Sequence, residues 1–179
     1  TGGGRGVGRA IALGLAEDGA TVAVNYRRDS DSADETVKMI ESAGGQARAY
    51  CASVDNLEED QLMVSRIEED LGPIAILVNN AGIASRGRMV ADTEADELHR
   101  VVATHAFGPH YLSRLVLPGM RSLDRGDIIM ISSVATRSLG SHGAPYNMGK
   151  TAMEALAYTL AKEEKVNGIR VNIVAPGLV

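Results

Sequence analysis

The chain opens with Thr1-Gly2-Gly3-Gly4-Arg5-Gly6-Val7-Gly8, and apolar residues follow this stretch at helical spacing. Glycines permit a tight turn and let backbone N–H groups approach a diphosphate at a helix N-terminus, where the helix dipole favours negative charge. A glycine-rich stretch alone is weak evidence, because a plain flexible loop has the same composition. Here a strand pattern over residues 21–26 follows the helix directly. The order of turn, helix and strand therefore predicts a dinucleotide-binding unit.

Strand and helix patterns alternate along the rest of the chain. Helices are predicted over residues 7–18, 31–43, 57–71, 94–117 and 145–166, and strands over residues 21–26, 47–52, 74–78, 127–132 and 170–174. The strand at 74–78 is continuously apolar, as is typical of a parallel strand buried on both faces. This alternation predicts an α/β fold with a doubly wound parallel sheet.

Length and composition narrow the class of protein. The 179 residues predict a single domain over residues 1–179. The net charge is −5 and no basic run is present, which argues against a nucleic acid partner. No apolar stretch of about 18 residues is present, so no membrane partner is predicted. The one cysteine, Cys51, precludes an internal disulfide and fits a reducing, cytoplasmic compartment; its alternating surroundings predict a small core residue.

Tyr146 and Lys150 lie four residues apart, so a helix would place them on one face, one turn from each other. A phenol has a pKa near ~10 in water, and a nearby lysine cation favours the phenolate and lowers that pKa. Such a phenol can give or take a proton near neutral pH, as general acid–base catalysis requires. Ser133 ends an apolar strand pattern, which predicts its hydroxyl at the carboxyl end of the sheet. The Tyr–Lys spacing is common by itself, and only its combination with Ser133 and the glycine turn predicts a catalytic site.

Four ordered motifs resemble those of the classical short-chain dehydrogenase/reductase family, over essentially the whole chain. They are T-G-x-x-x-G-x-G at Thr1, Gly2, Gly6 and Gly8, N-N-A-G at residues 79–82, Ser133 with Tyr146 and Lys150, and P-G at Pro176-Gly177. The resemblance implies a Rossmann fold, no metal, and catalysis by Ser133, Tyr146 and Lys150. It also implies cofactor contacts from Gly2, Arg5, Gly6, Val7, Gly8, Asn80, Ala81, Gly82, Tyr146, Lys150, Pro176, Gly177 and Val179.

Members of that family normally carry a strand before the glycine motif and a substrate-covering segment after P-G. The resemblance therefore implies an excerpt of a longer chain, lacking the first strand and the C-terminal segment. Because the family's first strand is central in its sheet, two strands of this chain are expected to lack a neighbour.

The turn after the strand at 21–26 indicates which nicotinamide cofactor is used. An acidic residue there binds the ribose 2′-hydroxyl of NAD, whereas a basic one accommodates the 2′-phosphate of NADP. The sequence is Asn25-Tyr26-Arg27-Arg28, and Arg5 lies in the glycine turn. Guanidinium groups match phosphate geometry, and the family's NADP-preferring members carry arginine at these two places. We therefore predict NADP(H), with Asn25, Arg27 and Arg28 at the site. The alternative is a solvated turn, with Asp29 or Asp31 binding the ribose.

Two positions depart from the family pattern. Ser53-Val54 stands where members usually carry Asp-Val, and a serine would contact the adenine more weakly than that aspartate. His105 stands where members carry a catalytic asparagine, thought to hold a helix kink whose carbonyl binds a water serving the lysine. Pro109 has no N–H group, so the carbonyl of His105 loses its helical partner and is expected to take that role. The alternatives are that the imidazole itself passes a proton, or that it only packs beside the site.

The predicted function is hydride transfer between NADP(H) and a small carbonyl or secondary alcohol substrate, with Tyr146 as proton donor and Ser133 binding the substrate oxygen. The sequence resembles 3-oxoacyl-acyl-carrier-protein reductases, which implies a thioester substrate and fatty acid biosynthesis. Alternatives are an NAD-dependent sugar, steroid or alcohol dehydrogenase, or a cofactor-binding regulatory or weakly active member. The resemblance also implies a homotetramer with an interface on helices 94–117 and 146–166. Apolar residues there, such as Met153 and Leu160, fit either an interface or the core.

Overall fold

The computed structural model describes residues 1–177, and the chain divides into two compact units, Thr1–Gly72 and Pro73–Val179. Each unit contains its own sheet, and every paired strand in both sheets is parallel. Helices connect the strands, which confirms the predicted α/β class. The prediction of a single domain over residues 1–179 stays a prediction. Among the described residues, no helix combines the length and the hydropathy that a membrane span needs.

The first unit alternates helices with parallel strands. Its elements are α1 (Gly6–Glu17), β1 (Thr21–Tyr26), α2 (Ser30–Ser42), β2 (Gln46–Cys51) and α3 (Leu57–Leu71). Thr21 lies opposite Gln46, and the pairing continues in register to the ends of both strands. Val24 and Ile40 belong to one buried apolar cluster that joins β1 to α2. The carboxyl end of β1 therefore lies beside the start of α2, where the predicted cofactor turn occurs.

The second unit carries the longer helices and a three-stranded sheet in the order β3-β4-β5. Its elements are β3 (Ile76–Asn79), a 3₁₀ turn (Val90–Asp92), α4 (Ala95–Val102), a π-helical turn (Ala103–Phe107), α5 (Gly108–Met120), β4 (Gly126–Ile131), α6 (Ala135–Ser138), α7 (Ala144–Glu163), a second 3₁₀ turn (Glu164–Asn167) and β5 (Ile169–Val174). β4 is central, and its Ile128 and Met130 are fully buried. The end of β4 therefore lies between neighbours on both sides, which is a rigid place for functional residues.

Most predicted elements are confirmed. The bounds predicted for the strand over 21–26 and the helix over 57–71 match, and the other ends are displaced by at most three residues. The predicted helix over 94–117 is interrupted by the π-helical turn, and the predicted strand over 74–78 begins at Ile76. The prediction that Cys51 is a core residue is wrong, because the last residue of β2 is exposed. Met153 and Leu160 belong to the core, being 0% and 7% exposed, so they are not available to an interface.

Helix α7 approaches the π-helical turn closely at Gly149. A Cβ added to Gly149 would lie 2.8 Å from Cβ of His105 and 3.5 Å from the carbonyl oxygen of Val101. These atoms belong to or adjoin the backbone, so they cannot move aside without a shift of the whole helix. Gly14 in α1 is also inside a helix, but a Cβ there would meet nothing within 4 Å.

We expect Gly149→Ala to lower the free energy of unfolding by about 1–3 kcal/mol because of overpacking. Gly14→Ala, its matched control, should raise that free energy by up to about 1 kcal/mol through helix propensity. Denaturant unfolding of both variants measures the difference. Equal effects of the two substitutions would contradict the close approach at Gly149.

Asp60 is a buried carboxyl group in the first turn of α3. It is 0% exposed, and neither of its oxygen atoms has a hydrogen-bond partner in the described part of the chain. Burial, with added repulsion from Asp55 and Glu59, raises the pKa of Asp60 to about 7. An unfolded chain would ionise the same group near ~3.9. Between these two pH values, the unfolded state therefore releases a proton that the folded state retains.

We expect the wild-type protein to lose stability as the pH rises from about 4 to about 7, by on the order of 4 kcal/mol at most from this group. Asp60→Asn cannot ionise and should lack this loss, so the variant should gain on the wild type as pH rises. Glu58→Gln, at an exposed position in the same turn, is the control. The measurement is denaturant unfolding at pH 4 to 8. Parallel curves for the wild type and Asp60→Asn would contradict the buried, ionisable group.

Candidate active site

The buried ammonium group of Lys150 connects α7 to the end of β4 by a hydrogen bond. Nζ of Lys150 donates a hydrogen bond of 2.6 Å to the carbonyl oxygen of Ile131, the last residue of β4. Lys150 is 3% exposed, and burial lowers its pKa to about 8. The same Nζ lies 5.8 Å from the centroid of the Tyr146 ring. The side chains four residues apart therefore share one face of α7, as the sequence predicts.

Tyr146 occupies the first turn of α7, directly after Pro145, which is a favourable residue at the start of a helix. Its ring is half-buried and meets the imidazole of His105 edge to face, with 5.1 Å between ring centroids and 79° between planes. The dipole of α7 favours negative charge at this end of the helix. The phenol therefore lies at the N-terminal end of α7, with the Lys150 ammonium beside its ring.

Ser133 lies two residues beyond β4, in a segment held by neighbouring backbone. The N–H group of Ser132 donates to the carbonyl oxygen of Val174 at 2.7 Å, and that of Val134 donates to Pro176 at 3.0 Å. Oγ of Ser133 accepts a hydrogen bond of 3.2 Å from the N–H group of Ala135. Because this bond uses a lone pair, the hydroxyl proton of Ser133 can be donated to another group.

His105 lies fully buried in the π-helical turn, between two backbone segments. Its Nε2 lies 2.8 Å from the carbonyl oxygen of Ile83 and 3.3 Å from the backbone nitrogen of the same residue, so both backbone groups of Ile83 contact this ring nitrogen. Its Nδ1 is buried, without a hydrogen-bond partner among the described residues. Burial, and then the nearby Lys150 cation, lower the pKa of His105 to about 4. The imidazole is therefore neutral at neutral pH and ties the loop after β3 to the long helix.

The π-helical turn occurs directly before Pro109. The N–H group of Gly108 bonds to the carbonyl oxygen of Ala103, five residues back, instead of four. Proline cannot supply the bond that the carbonyl of His105 would receive in an α-helix. Pro109 predicts this defect, and the helix absorbs it as a π turn, a feature often found at functional sites.

The N-N-A-G stretch begins at Asn79, the last residue of β3, and continues into the loop that follows this strand. A Cβ added to Gly82 would lie 2.8 Å from Cε1 of His105, so this residue permits the imidazole to lie against the loop. Asn80 and Ala81 are half-buried beside it. Pro176 is half-buried after β5 and Gly177 is exposed, whereas Val179 lies outside the described residues.

In the first unit, the glycine stretch forms a tight turn that leads into α1 and lies against the end of β1, where the N–H group of Gly3 donates to the carbonyl oxygen of Asn25 at 2.9 Å. Gly2 and Gly6 have φ values of 61° and 54°, which favour glycine. A Cβ on Gly3 would lie 3.0 Å from Cγ1 of Val24, and one on Gly4 would lie 3.2 Å from the N atom of Ala33. The turn thus packs closely against β1 and α2 on its inner side, with Val7 and Gly8 in the first turn of α1.

The outer side of this turn fits a diphosphate. A Cβ on the exposed Gly6 would meet nothing within 4 Å. The start of α1 has no side-chain cap among the described residues, in contrast to α2, where Asp29 accepts from the N–H group of Ser32 at 3.1 Å. An uncapped helix N-terminus behind an open glycine turn suits an anionic ligand.

Three arginines that are predicted to bind NADP(H) lie in this turn or in the segment that follows β1. Arg5, Arg27 and Arg28 are all exposed. Hydrogen bonds from Ser32 lower the pKa of Asp29, and Arg5 and Arg9 lower it further by their charge. Arg5 therefore lies within electrostatic reach of the segment that carries Arg27 and Arg28.

Other predicted cofactor residues make internal contacts. Oδ1 of the buried Asn25 accepts from the N–H group of Gly2 at 3.1 Å, and its Nδ2 donates to the carbonyl oxygen of Ala52 at 3.0 Å. Ser53 is half-buried and its hydroxyl donates to the Asp55 carboxylate. Val54 is buried.

Sequence reasoning missed two polar residues that hold these segments. Arg9 donates to the carbonyl oxygen of Gly4 at 2.7 Å and to the carboxylate of Glu35 at 2.6 Å, so it ties the glycine turn to α2. Glu154 accepts hydrogen bonds beside Ser133 from the hydroxyl groups of Ser132 and Thr136. Glu154 follows Lys150 by four residues, and this spacing was the available signal.

Known proteins share this arrangement over the whole chain. An uncharacterized oxidoreductase of Escherichia coli (strain K12), YgfF, is 39% identical over 184 residues, covering 100% of this chain and 74% of its own length. The 3-oxoacyl-[acyl-carrier-protein] reductase FabG of Staphylococcus epidermidis is 36% identical over 180 residues, covering 100% and 73%.

A solved structure of a metagenomic short-chain oxidoreductase in complex with NADP superposes with a TM-score of 0.94. It is 30% identical to this chain, and the match covers 99% of this chain and 80% of that one. This similarity confirms the predicted Rossmann-type fold. Residues 1–179 match the family described as short chain dehydrogenase, so the chain belongs to the short-chain dehydrogenase family of oxidoreductases.

Proposed function

We propose that the protein is an NADP(H)-dependent oxidoreductase that interconverts a carbonyl and a secondary alcohol. The observation that carries this proposal is the buried Lys150 ammonium, 5.8 Å from the centroid of the Tyr146 ring on one face of α7. Burying a cation costs free energy, so the buried Lys150 indicates a functional role. In this proposal, its charge stabilises the phenolate form of Tyr146 during proton transfer. The presence of both residues argues against the alternative of a purely regulatory family member.

This proposal gives a distinct task to each of three residues of the second unit, Tyr146, Ser133 and Lys150. When bound, NADP(H) supplies or accepts a hydride. Tyr146 gives a proton to the substrate oxygen in reduction and takes it back in oxidation. Ser133 donates a hydrogen bond to the same oxygen. Lys150, whose pKa is lowered only to about 8, stays largely protonated at neutral pH and stabilises the phenolate.

His105 has a positioning task in this proposal. Its pKa of about 4 and its bond to Ile83 argue against the imidazole as a proton carrier at neutral pH. The π-helical turn supports the prediction that its carbonyl oxygen serves a water beside Lys150. The imidazole would then hold the loop after β3 in place.

The preference for NADP(H) rests on the first unit. Arg5, Arg27 and Arg28 are exposed, and Arg5 lies within electrostatic reach of the segment after β1 that carries the other two. Their guanidinium groups suit a 2′-phosphate. Of the two alternative acids, Asp29 caps α2 through hydrogen bonds with Ser32, and Asp31 lies in the first turn of the same helix. The NADP-bound structure that this chain resembles supports the same cofactor.

The substrate we propose is a 3-oxoacyl thioester, as in fatty acid biosynthesis. The 36% identity to FabG supports this class.

We also propose a cytoplasmic homotetramer assembled through the long helices. Exposed apolar side chains on or next to these helices support that assembly, namely Phe107, Met148 and Tyr158.

We expect the purified protein to oxidise NADPH in the presence of acetoacetyl-CoA, and Tyr146→Phe to lower kcat by at least about 100-fold, because the phenol supplies the proton. Binding of NADPH to the variant, measured by fluorescence titration, should stay within about twofold. Turnover retained in Tyr146→Phe would refute the catalytic assignment. Tight NADPH binding without turnover of the thioester would refute the substrate class alone.

Replacing both Arg27 and Arg28 with alanine should weaken NADPH binding by on the order of 10- to 100-fold, as expected for lost charge-assisted bonds to a phosphate. Binding of NADH, which lacks that phosphate, should change little. Arg66→Ala, which removes an exposed charge from α3, is the matched control. Equal losses for NADPH and NADH would show that the two arginines do not read the 2′-phosphate.

A further inference from the structure

Helix α7 presents three functional groups on one face, one turn apart: Tyr146, Lys150 and Glu154. The proposed function uses the first two. Glu154 is only 9% exposed, so its carboxylate is held largely out of water. A buried carboxylate is costly unless hydrogen bonds satisfy it, so its contacts indicate its task.

Glu154 binds the segment around Ser133 from both ends. Oε1 accepts a hydrogen bond of 2.5 Å from the hydroxyl of Ser132 and lies 2.9 Å from the hydroxyl of Thr136. The Thr136 hydroxyl also lies 2.9 Å from the carbonyl oxygen of Ser133, so one proton serves two acceptors. The carboxylate thus contacts the residue before Ser133 and the residue three positions after it.

The hydrogen bonds of Glu154 and of Lys150 together fix the position of α7 relative to the end of β4. Nζ of Lys150 holds Ile131, and one turn later Glu154 holds Ser132. Two buried polar contacts, four residues apart on the helix, prevent both sliding and rotation of α7 against the end of β4. Bonds to carboxylates are among the stronger hydrogen bonds in proteins. The position of Ser133 relative to Tyr146 depends on this register.

We propose that Glu154 is a positioning residue that sets the Ser133 hydroxyl at its working distance from Tyr146. The proposal rests on the proposed function for its catalytic consequence, but the structural tie can be tested without turnover. Glu154 acts through its Oε1 acceptor atom, so a glutamine, which keeps a carbonyl oxygen there, should retain the tie, whereas a leucine should lose it.

The test compares Glu154→Leu with Glu154→Gln in two measurements. In hydrogen exchange, amides of residues 132–138 should exchange faster in Glu154→Leu and at nearly the wild-type rate in Glu154→Gln. In kinetics with NADPH and acetoacetyl-CoA, Glu154→Leu should lower kcat by on the order of 10- to 100-fold with little change in KM for NADPH, because a small misplacement of a reacting group is costly. Glu154→Gln should stay within about threefold.

The matched control is Glu164→Leu, which removes another buried glutamate, one paired with Arg121 away from this segment. It should lower stability without changing kcat. If Glu154→Leu does not fold, Ser132→Ala and Thr136→Val each remove one donor and should give smaller changes in the same direction.

Unchanged exchange at residues 132–138 in the leucine variant would overturn the proposal, whatever the activity. Faster exchange with unchanged kcat would also overturn it, because the tie would then have no catalytic effect. Turnover that survives Tyr146→Phe would instead refute the proposed function, and the exchange result would still decide whether Glu154 holds the segment.

Discussion

The hydrogen bond from the buried Lys150 ammonium to the carbonyl oxygen of Ile131 is the contact on which the candidate site of the second unit depends. A cation that is 3% exposed is costly, and its bond to a carbonyl at the end of the central strand offsets part of that cost. The same bond fixes α7 against β4. The same helix carries Tyr146, whose ring centroid lies 5.8 Å from Nζ of Lys150.

Around this contact, His105 and the glycines form a second constraint. The His105 side chain occupies the space between Gly82 and Gly149. A Cβ added to Gly82 would lie 2.8 Å from its Cε1, and one added to Gly149 would lie 2.8 Å from its Cβ. The π-helical turn places this residue at that point, and its neutral form bonds to Ile83. A neutral imidazole thus lies in the π-helical turn, at the position where the family pattern predicts an asparagine.

Much of the fold could be predicted from the sequence because its signals are local. Apolar periodicity, the glycine turn and the start of α7 at Pro145 depend on residues close together in the chain. The exposure of Cys51 and the burial of Met153 could not be predicted, because they depend on which elements cover each face. The burial of Asp60 could not be predicted for the same reason, because a charged residue at the start of a helix is usually exposed.

The sequence by itself determined the order of helices and strands, the Tyr–Lys pair on one helical face, and the basic turn after β1, since each follows from spacing of a few residues. Only the tertiary structure decided that Lys150 and Glu154 are buried against the end of β4, that Asp29 is committed to a helix cap, and that His105 is neutral. These properties arise from desolvation and from hydrogen bonds between segments. Neither exists until distant parts of the chain pack together.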